Sequence, residues 1–268
     1  MYTIAIVNHK GGVGKTVSTV TVGALSAAQG VRTLLVDVDA QAHTTLYVFG
    51  ERVFDRDLSD VILAPHDLRD VIQPSGAPNL DVAPASLRVA ELDLRLMTDT
   101  GRRDRRLAQA LDSVAELYDL VLIDCPPALS LLVINALAAA DAVIAPVALT
   151  NFALRGLQHF LGWLEQFRQE GIVSAQLLAI VPTMVDPRNR ADREGLDELR
   201  RSGLPLVPGS DGEPVLIPRR TGIEALEAAH VPPVLGAGID DLAIPYSQVT
   251  RQVLVAAGLA PVEPVAAR

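Results

Sequence analysis

Cysteine is nearly absent from this 268-residue chain. Cys125 is the single one, which excludes a disulfide framework, a cysteine-rich zinc site and a cluster held by the chain's own thiolates. No apolar run approaches the about 18 residues that a membrane-spanning helix needs. The amino terminus opens on a strand-like segment, with no basic stretch ahead of an apolar signal core, so a cytosolic protein is expected. Net positive charge is also missing. The formal net charge of −9 argues against a generally basic nucleic-acid coat, while leaving room for a local basic patch. Lysine is the scarcest charged residue: of 23 Lys plus Arg, two are lysines, at positions 10 and 15. An arginine-rich genome accounts for the bias, but both lysines stand in one glycine-rich loop. An ammonium and a guanidinium are not interchangeable around phosphate, which points to lysine chemistry at these two positions.

What the sequence has in abundance is apolar residues, at 49% against 21% charged, enough for a buried sheet and too many for a disordered chain. Short apolar runs at 3–8, 31–37, 80–83, 120–124, 142–147 and 177–181 suggest strands. Helical spacing is expected over 16–29, 87–96, 103–116, 129–139, 152–169 and about 240–257. The strand runs are continuously apolar, as required when helices cover both faces of a sheet. Strand and helix alternate and no linker divides the chain. The expectation is therefore one α/β domain over 1–258, with a doubly wound, mostly parallel sheet flanked by helices, and a flexible, proline-containing tail over 259–268. Residues 205–218 should form loops around a short strand. Met97 and Trp163 fall on apolar helical faces and are expected in the core. Cys125 should be a small buried filler. His43, His66, His159 and His230 show no metal-ligand spacing.

The segment His9-Lys10-Gly11-Gly12-Val13-Gly14-Lys15-Thr16 follows a strand and opens a helix. In that setting glycines let successive backbone N–H groups turn around phosphates, and the helix amino terminus adds its positive end. Lys15 should reach the β- and γ-phosphates of a nucleotide, and the Thr16 hydroxyl should bind Mg²⁺. Gly11, Gly12, Val13, Gly14 and Val17 complete the expected nucleotide contacts. Two apolar strands end in acid. Asp37 and Asp39 stand two residues apart and share one side if the strand continues. Asp37 could hold the metal through water, or cap a turn, and Asp39 could orient an attacking water. Asp124 ends Leu120-Val121-Leu122-Ile123-Asp124, the Walker B arrangement, as a water-mediated Mg²⁺ ligand. Cys125-Pro126-Pro127 then leaves the sheet abruptly, which suits a loop that senses the γ-phosphate.

Lys10-Gly11-Gly12-Val13-Gly14-Lys15-Thr16 departs from the usual phosphate loop, which has glycine where this chain has His9. In its second lysine it resembles the deviant Walker A ATPases, the group of ParA/Soj partition proteins, MinD and the nitrogenase iron protein. The likeness extends through Asp37-Val38-Asp39-Ala40-Gln41-Ala42-His43, Ile123-Asp124-Cys125-Pro126-Pro127, Phe152-Ala153-Leu154-Arg155-Gly156-Leu157, Pro182-Thr183-Met184-Val185-Asp186-Pro187-Arg188 and Ile217-Pro218-Arg219. It covers residues 3–257 in order. The resemblance implies a P-loop NTPase in which Lys10 crosses a homodimer interface to the partner's ATP, and in which Thr183 and Pro218 lie near the adenine. It implies that the ATP-bound dimer binds double-stranded DNA nonspecifically through Arg188, Arg190, Arg219 and Arg220, with Arg193, Arg200 and Arg201 as further candidates. A ParB-type centromere-binding partner would stimulate hydrolysis, which gives a DNA segregation role and a nucleoid-associated location in the cytoplasm. Ala40 replaces the usual proline, His43 the usual asparagine, and Gly222 a usual arginine.

Other classes compete. A MinD-like membrane role needs a basic amphipathic carboxyl-terminal helix. Residues 246–268 carry Arg251 and Arg268 as their only basic residues, with Pro261 and Pro264 breaking the end, so no stable membrane association is expected. A reductase of the iron-protein kind lacks its cysteines, and the sequence shows no second substrate pocket for a ligase. A ParA-like ATPase that positions a protein cargo stays open, since the partner supplies the address.

Overall fold

The computed structural model describes residues 1–62, 67–98, 101, 103–219 and 240–259. In chain order the strands are β1 (Tyr2–Ile6), β2 (Thr33–Asp37), β3 (Gln73–Pro74), β4 (Leu80–Ala83), β5 (Leu120–Asp124), β6 (Ala142–Ala148) and β7 (Gln176–Thr183). The helices are α1 (Lys15–Ala28), α2 (His43–Phe49), α3 (Leu58–Ile62), α4 (Leu92–Thr98), α5 (Arg106–Asp112), α6 (Leu131–Ala139), α7 (Asn151–Gln169), α8 (Arg190–Arg201) and α9 (Asp240–Ala256).

The strands form one sheet in the order β3-β4-β2-β5-β1-β6-β7. Every neighbouring pair is parallel except β3 with β4. Side chains alternate between the two faces, as the two-residue strand period demands. Ile4, Ile6, Leu35 and Leu122 enter one core with Val20, Tyr246 and Val253 of α1 and α9. Ala5, Leu34, Val36 and Ile123 enter the other with Leu92, Leu107, Leu137 and Leu157 of α4 to α7. Helices cover both faces, and the fold is the expected doubly wound α/β arrangement.

The element boundaries differ from expectation in instructive places. The helix expected over 87–96 divides into a 3₁₀ segment (Leu87–Glu91) and α4, displaced toward the carboxyl end. The two-residue β3 is an antiparallel edge strand with Pro74 in it, a position a proline tolerates because an edge strand needs no second donor row. Residues 206–218 contribute isolated bridges to Ile180 and Val185 and form no strand. Met97 is 63% exposed, against the expectation of core. Trp163 is half-buried and packs edge-on to His9, with ring centroids 5.2 Å apart, so it too lies outside the core. Cys125 is fully buried. No described helix is long and apolar enough to cross a membrane.

Candidate functional site

Register builds the site. Asp124 at the end of β5 pairs with Ile6 on one side and with Asp37 on the other, so both carboxylates and the start of the glycine loop meet at the carboxyl edge of the sheet. In open α/β sheets this edge is where ligands bind. The loop leaves β1 through Asn8, fully buried, whose Nδ2 donates to Pro146 O at 2.6 Å and whose Oδ1 accepts the Lys10 N–H at 3.1 Å. Gly12 and Gly14 have φ of 69° and 82°. In this left-handed region a Cβ is disfavoured, and it turns the loop back onto the first turn of α1. The first amides of α1, which no helix can pair internally, face the loop.

Lys15 and Thr16 open that helix. Lys15 is 7% exposed, and its Nζ donates to Lys10 O across the loop at 3.2 Å. Burial lowers its pKa, and the nearby Asp124 carboxylate opposes that shift. Thr16 Oγ1 donates to Asp124 Oδ2 at 2.8 Å. Val17 turns its side chain into the core, so that its backbone is what it offers a ligand. Thr183 at the end of β7 donates to Val13 O at 2.7 Å and supports the loop from behind. Residues 217–219 run beside 182–185, joined by Ile217 N to Pro182 O at 2.8 Å and Val185 N to Ile217 O at 3.0 Å, which pairs Pro218 with Val185.

The carboxylates divide differently from expectation. Strand β2 ends at Asp37, so Asp39 sits in a turn rather than two residues along the same strand face. Asp37 Oδ1 accepts the Asp39 N–H at 3.1 Å, and Oδ2 accepts the Thr45 N–H at 2.9 Å and hydroxyl at 2.8 Å. The turn-capping alternative therefore describes the contacts of Asp37. Asp39 is half-buried and accepts the Gln41 N–H at 3.0 Å. Ala42 takes φ 52°, a left-handed conformation costly for a residue with a Cβ.

Asp37 and Asp124 are both fully shielded from solvent. Burial, then the Asp124 carboxylate, pushes Asp37 up to about 8. Burial also raises Asp124, against the hydroxyls of Thr16 and Thr44 and the Lys15 ammonium. Asp124 Oδ1 is buried with no hydrogen-bond partner among the described residues. Asp124 keeps an orphaned oxygen and lies beside a second buried carboxyl, and each is costly to its charged form. A divalent cation relieves both. The donor set, one hydroxyl and a carboxylate with a free oxygen, fits Mg²⁺, which keeps several waters and is completed by substrate phosphates. Accordingly, no cluster of three or more His, Cys, Asp or Glu suited to a metal occurs among the described residues.

The remaining site candidates scatter. The Lys10 ammonium reaches Thr150 Oγ1 of its own chain at 3.3 Å. Arg188, Arg190 and Arg219 are exposed. Arg219 N–H donates to Val185 O at 3.1 Å, which sets it near the loop carrying Arg188. Arg190 pairs with Glu194 at 2.7 Å, and Arg200 pairs with Glu213 and Asp197. Arg220 lies outside the described residues. The structure adds Asn8, Thr44, Thr45 and Thr150, which sequence reasoning missed. No local pattern marked them, since Thr44 and Thr45 stand in the helix after the loop that follows β2 and meet the carboxylates only in the fold.

A parallel strand, a glycine loop opening a helix with Lys-Thr, and an acid-ended neighbouring strand define a P-loop nucleoside-triphosphate-binding protein. Comparison with known proteins narrows this. The AAA domain family matches residues 1–178. The sporulation initiation inhibitor protein Soj of Bacillus subtilis is 37% identical over 199 residues, 74% of this chain and 78% of Soj. The chromosome partitioning protein ParA of Caulobacter vibrioides is 36% identical over 200 residues, 74% of each chain. Cobyrinic acid a,c-diamide synthase of Mycobacterium smegmatis, solved with ADP and magnesium, superposes with a TM-score of 0.74 at 29% identity, covering 86% of this chain and 92% of that one. The chain belongs to the ParA/Soj family of P-loop ATPases.

Proposed function

We propose that the protein is a Mg²⁺-dependent DNA-partition ATPase of the cytoplasm. ATP binding drives homodimerisation and nonspecific DNA binding, and a ParB-type partner triggers hydrolysis and release. The observation that carries the nucleotide chemistry is the trio at the sheet edge: buried Lys15 at the helix amino terminus, half-buried Thr16, and buried Asp124 with its orphaned oxygen. Bound Mg²⁺ would neutralise charge that develops on the β- and γ-phosphates. Thr16 and Asp124 would hold it, the oxygen of Asp124 through water. Lys15 supplies a positive charge to the phosphates from a site shielded from water, where a charge acts more strongly. Asp39, held by its turn at the rim, would orient the attacking water. No strong general base stands by, so turnover alone should be slow.

Identity to Soj and ParA exceeds that to the diamide synthase, which favours partition over a metabolic ligase. The DNA face is the corner where the segments 185–190 and 217–219 meet. Three exposed arginines per protomer, doubled in a dimer, give roughly six phosphate contacts. That number predicts an affinity falling about 10³-fold between about 50 and about 200 mM salt. The test is binding to random-sequence duplex DNA with ATP, with ADP and without nucleotide at those two salt concentrations. The expected result is binding with ATP alone, steeply lost with salt, and absent in Lys15→Ala. Absence of DNA binding by the wild type under every condition would overturn partition on DNA and leave an ATPase directed at a protein cargo.

A further inference from the structure

Thr44 and Thr45 stand side by side at the start of α2, and each hydroxyl serves one of the two buried carboxylates. Thr45 is accounted for by packing: its Oγ1 donates to Asp37 Oδ2 and accepts the Ala85 N–H at 2.9 Å, closing a buried network. Thr44 is different. It is fully buried, and its Oγ1 donates at 2.8 Å to Asp124 Oδ2, the oxygen that already accepts from Thr16 at 2.8 Å. The other oxygen, Oδ1, is equally buried and has no partner among the described residues. A hydroxyl present merely to satisfy a buried acceptor would have been better placed on Oδ1. Doubling it on Oδ2 leaves the charged oxygen bare.

The geometry of that doubling matters. A carboxylate turns readily about its last torsion. One donor leaves that rotation loose, whereas two donors from separate helices, α1 and α2, fix the plane. We infer that Thr44 is a positioning residue for the divalent cation of the nucleotide site: by sharing Asp124 Oδ2 with Thr16 it keeps Oδ1 presented as the free acceptor for metal-bound water. It also ties α2, on the segment following Asp39, to the state of the metal site. The inference rests on the nucleotide-site reading above and goes beyond it, because neither the phosphate loop nor the acid-ended strand requires a hydroxyl at position 44.

The test compares Thr44→Val, which removes the hydroxyl at nearly constant volume, with Thr44→Ser, which keeps it. The probe is a fluorescent ADP analogue, titrated with Mg²⁺ and separately in EDTA, with thermal melting of each nucleotide-free protein recorded. Loss of an outer-shell partner typically weakens metal binding 10–100-fold. The expected result is that Thr44→Val needs about tenfold more Mg²⁺ for half-maximal tight binding, that Thr44→Ser stays near wild type, and that affinities in EDTA are equal. A Thr44→Val protein with the wild-type Mg²⁺ requirement would overturn the inference, as would equal shifts in both variants. Hydrogen exchange on the wild type gives a measurement free of any variant's folding: residues 43–49 should gain protection when Mg²⁺ is added to the ADP-analogue complex, and no gain overturns it. A wild type that fails to bind the analogue at all would sink the nucleotide-site reading instead.

Discussion

At the scale of single residues, the site is a set of hydroxyl-to-carboxylate and amide-to-carboxylate bonds gathered around charge that cannot reach water. Asp37 shows the cost and the remedy together. Its carboxyl is buried beside a second carboxylate, and burial raises its pKa; three donors from Asp39 and Thr45 stabilise the charged form in return. Thr45 carries a double share, since its hydroxyl also takes the buried Ala85 N–H. Replacing it with valine removes a donor from Asp37 and an acceptor from Ala85 at once. Each buried polar group left unpaired costs about 1–3 kcal/mol. Thr45→Val should therefore lose about 2 kcal/mol or more of unfolding free energy, measured by urea denaturation, while Thr45→Ser stays close to wild type. Equal stability of the valine variant would show that water replaces the hydroxyl in both bonds.

Elements are positioned by backbone approaches as close as those of the side chains. Helix α8, which carries Arg190, packs on the segment after β6 through Gly195. A Cβ there would lie 2.7 Å from Leu149 O and 3.2 Å from Leu149 Cβ. Backbone cannot yield as a flexible side chain does. In an exposed helix interior, glycine to alanine gains about 1 kcal/mol; here the sign reverses. Gly195→Ala should destabilise the protein by about 1–3 kcal/mol, the range for overpacking, and shift the helix that presents Arg190. Equilibrium unfolding in urea reads the first effect, and stabilisation by the substitution would refute this close packing. The amino end of α8 is set by Asn189, whose side chain caps Ala191 N–H at 2.9 Å. The buried Asp192 accepts Asp186 N–H at 2.8 Å, which anchors the arginine-bearing loop before it.

At the scale of the molecule, the sheet edge collects a nucleotide site on one side and an arginine corner beyond β7. What joins them in the proposed cycle is a second copy of the chain. Within one protomer Lys10 rests on Thr150 Oγ1 at the amino end of α7, an exposed and weak contact that costs little to release. Lys15, by contrast, is enclosed. In the proposed cycle the two lysines of the chain would thus have separable roles. Lys10→Ala should retain ATP binding within a few-fold yet remain monomeric in ATP at concentrations where the wild type is a dimer, as sedimentation would show. A stable ATP-dimer of that variant would contradict the crossing role.

The sequence by itself determined the elements that depend on local pattern. Short apolar-rich runs predicted strands β4 and β5 to the residue. Glycine spacing with Lys-Thr predicted the phosphate loop, and a single buried-looking cysteine proved to be buried. These features are legible because a strand period, a turn or a helix start is encoded within a few neighbouring residues. What only the tertiary structure decided is which groups meet across long stretches of chain: Thr44 with Asp124 across 80 positions, Asn8 with Pro146 across 138, and Gly195 against Leu149. It also decided that β2 stops at Asp37, so that Asp39 sits in the turn beyond it, and that Met97 faces water. The register of parallel strands is set by the packing of both sheet faces together, and no local pattern contains it. Threonine at 44 is chemically unremarkable in a string of letters. Its role arises where β5 and α2 place a hydroxyl on a carboxylate that has nowhere else to turn.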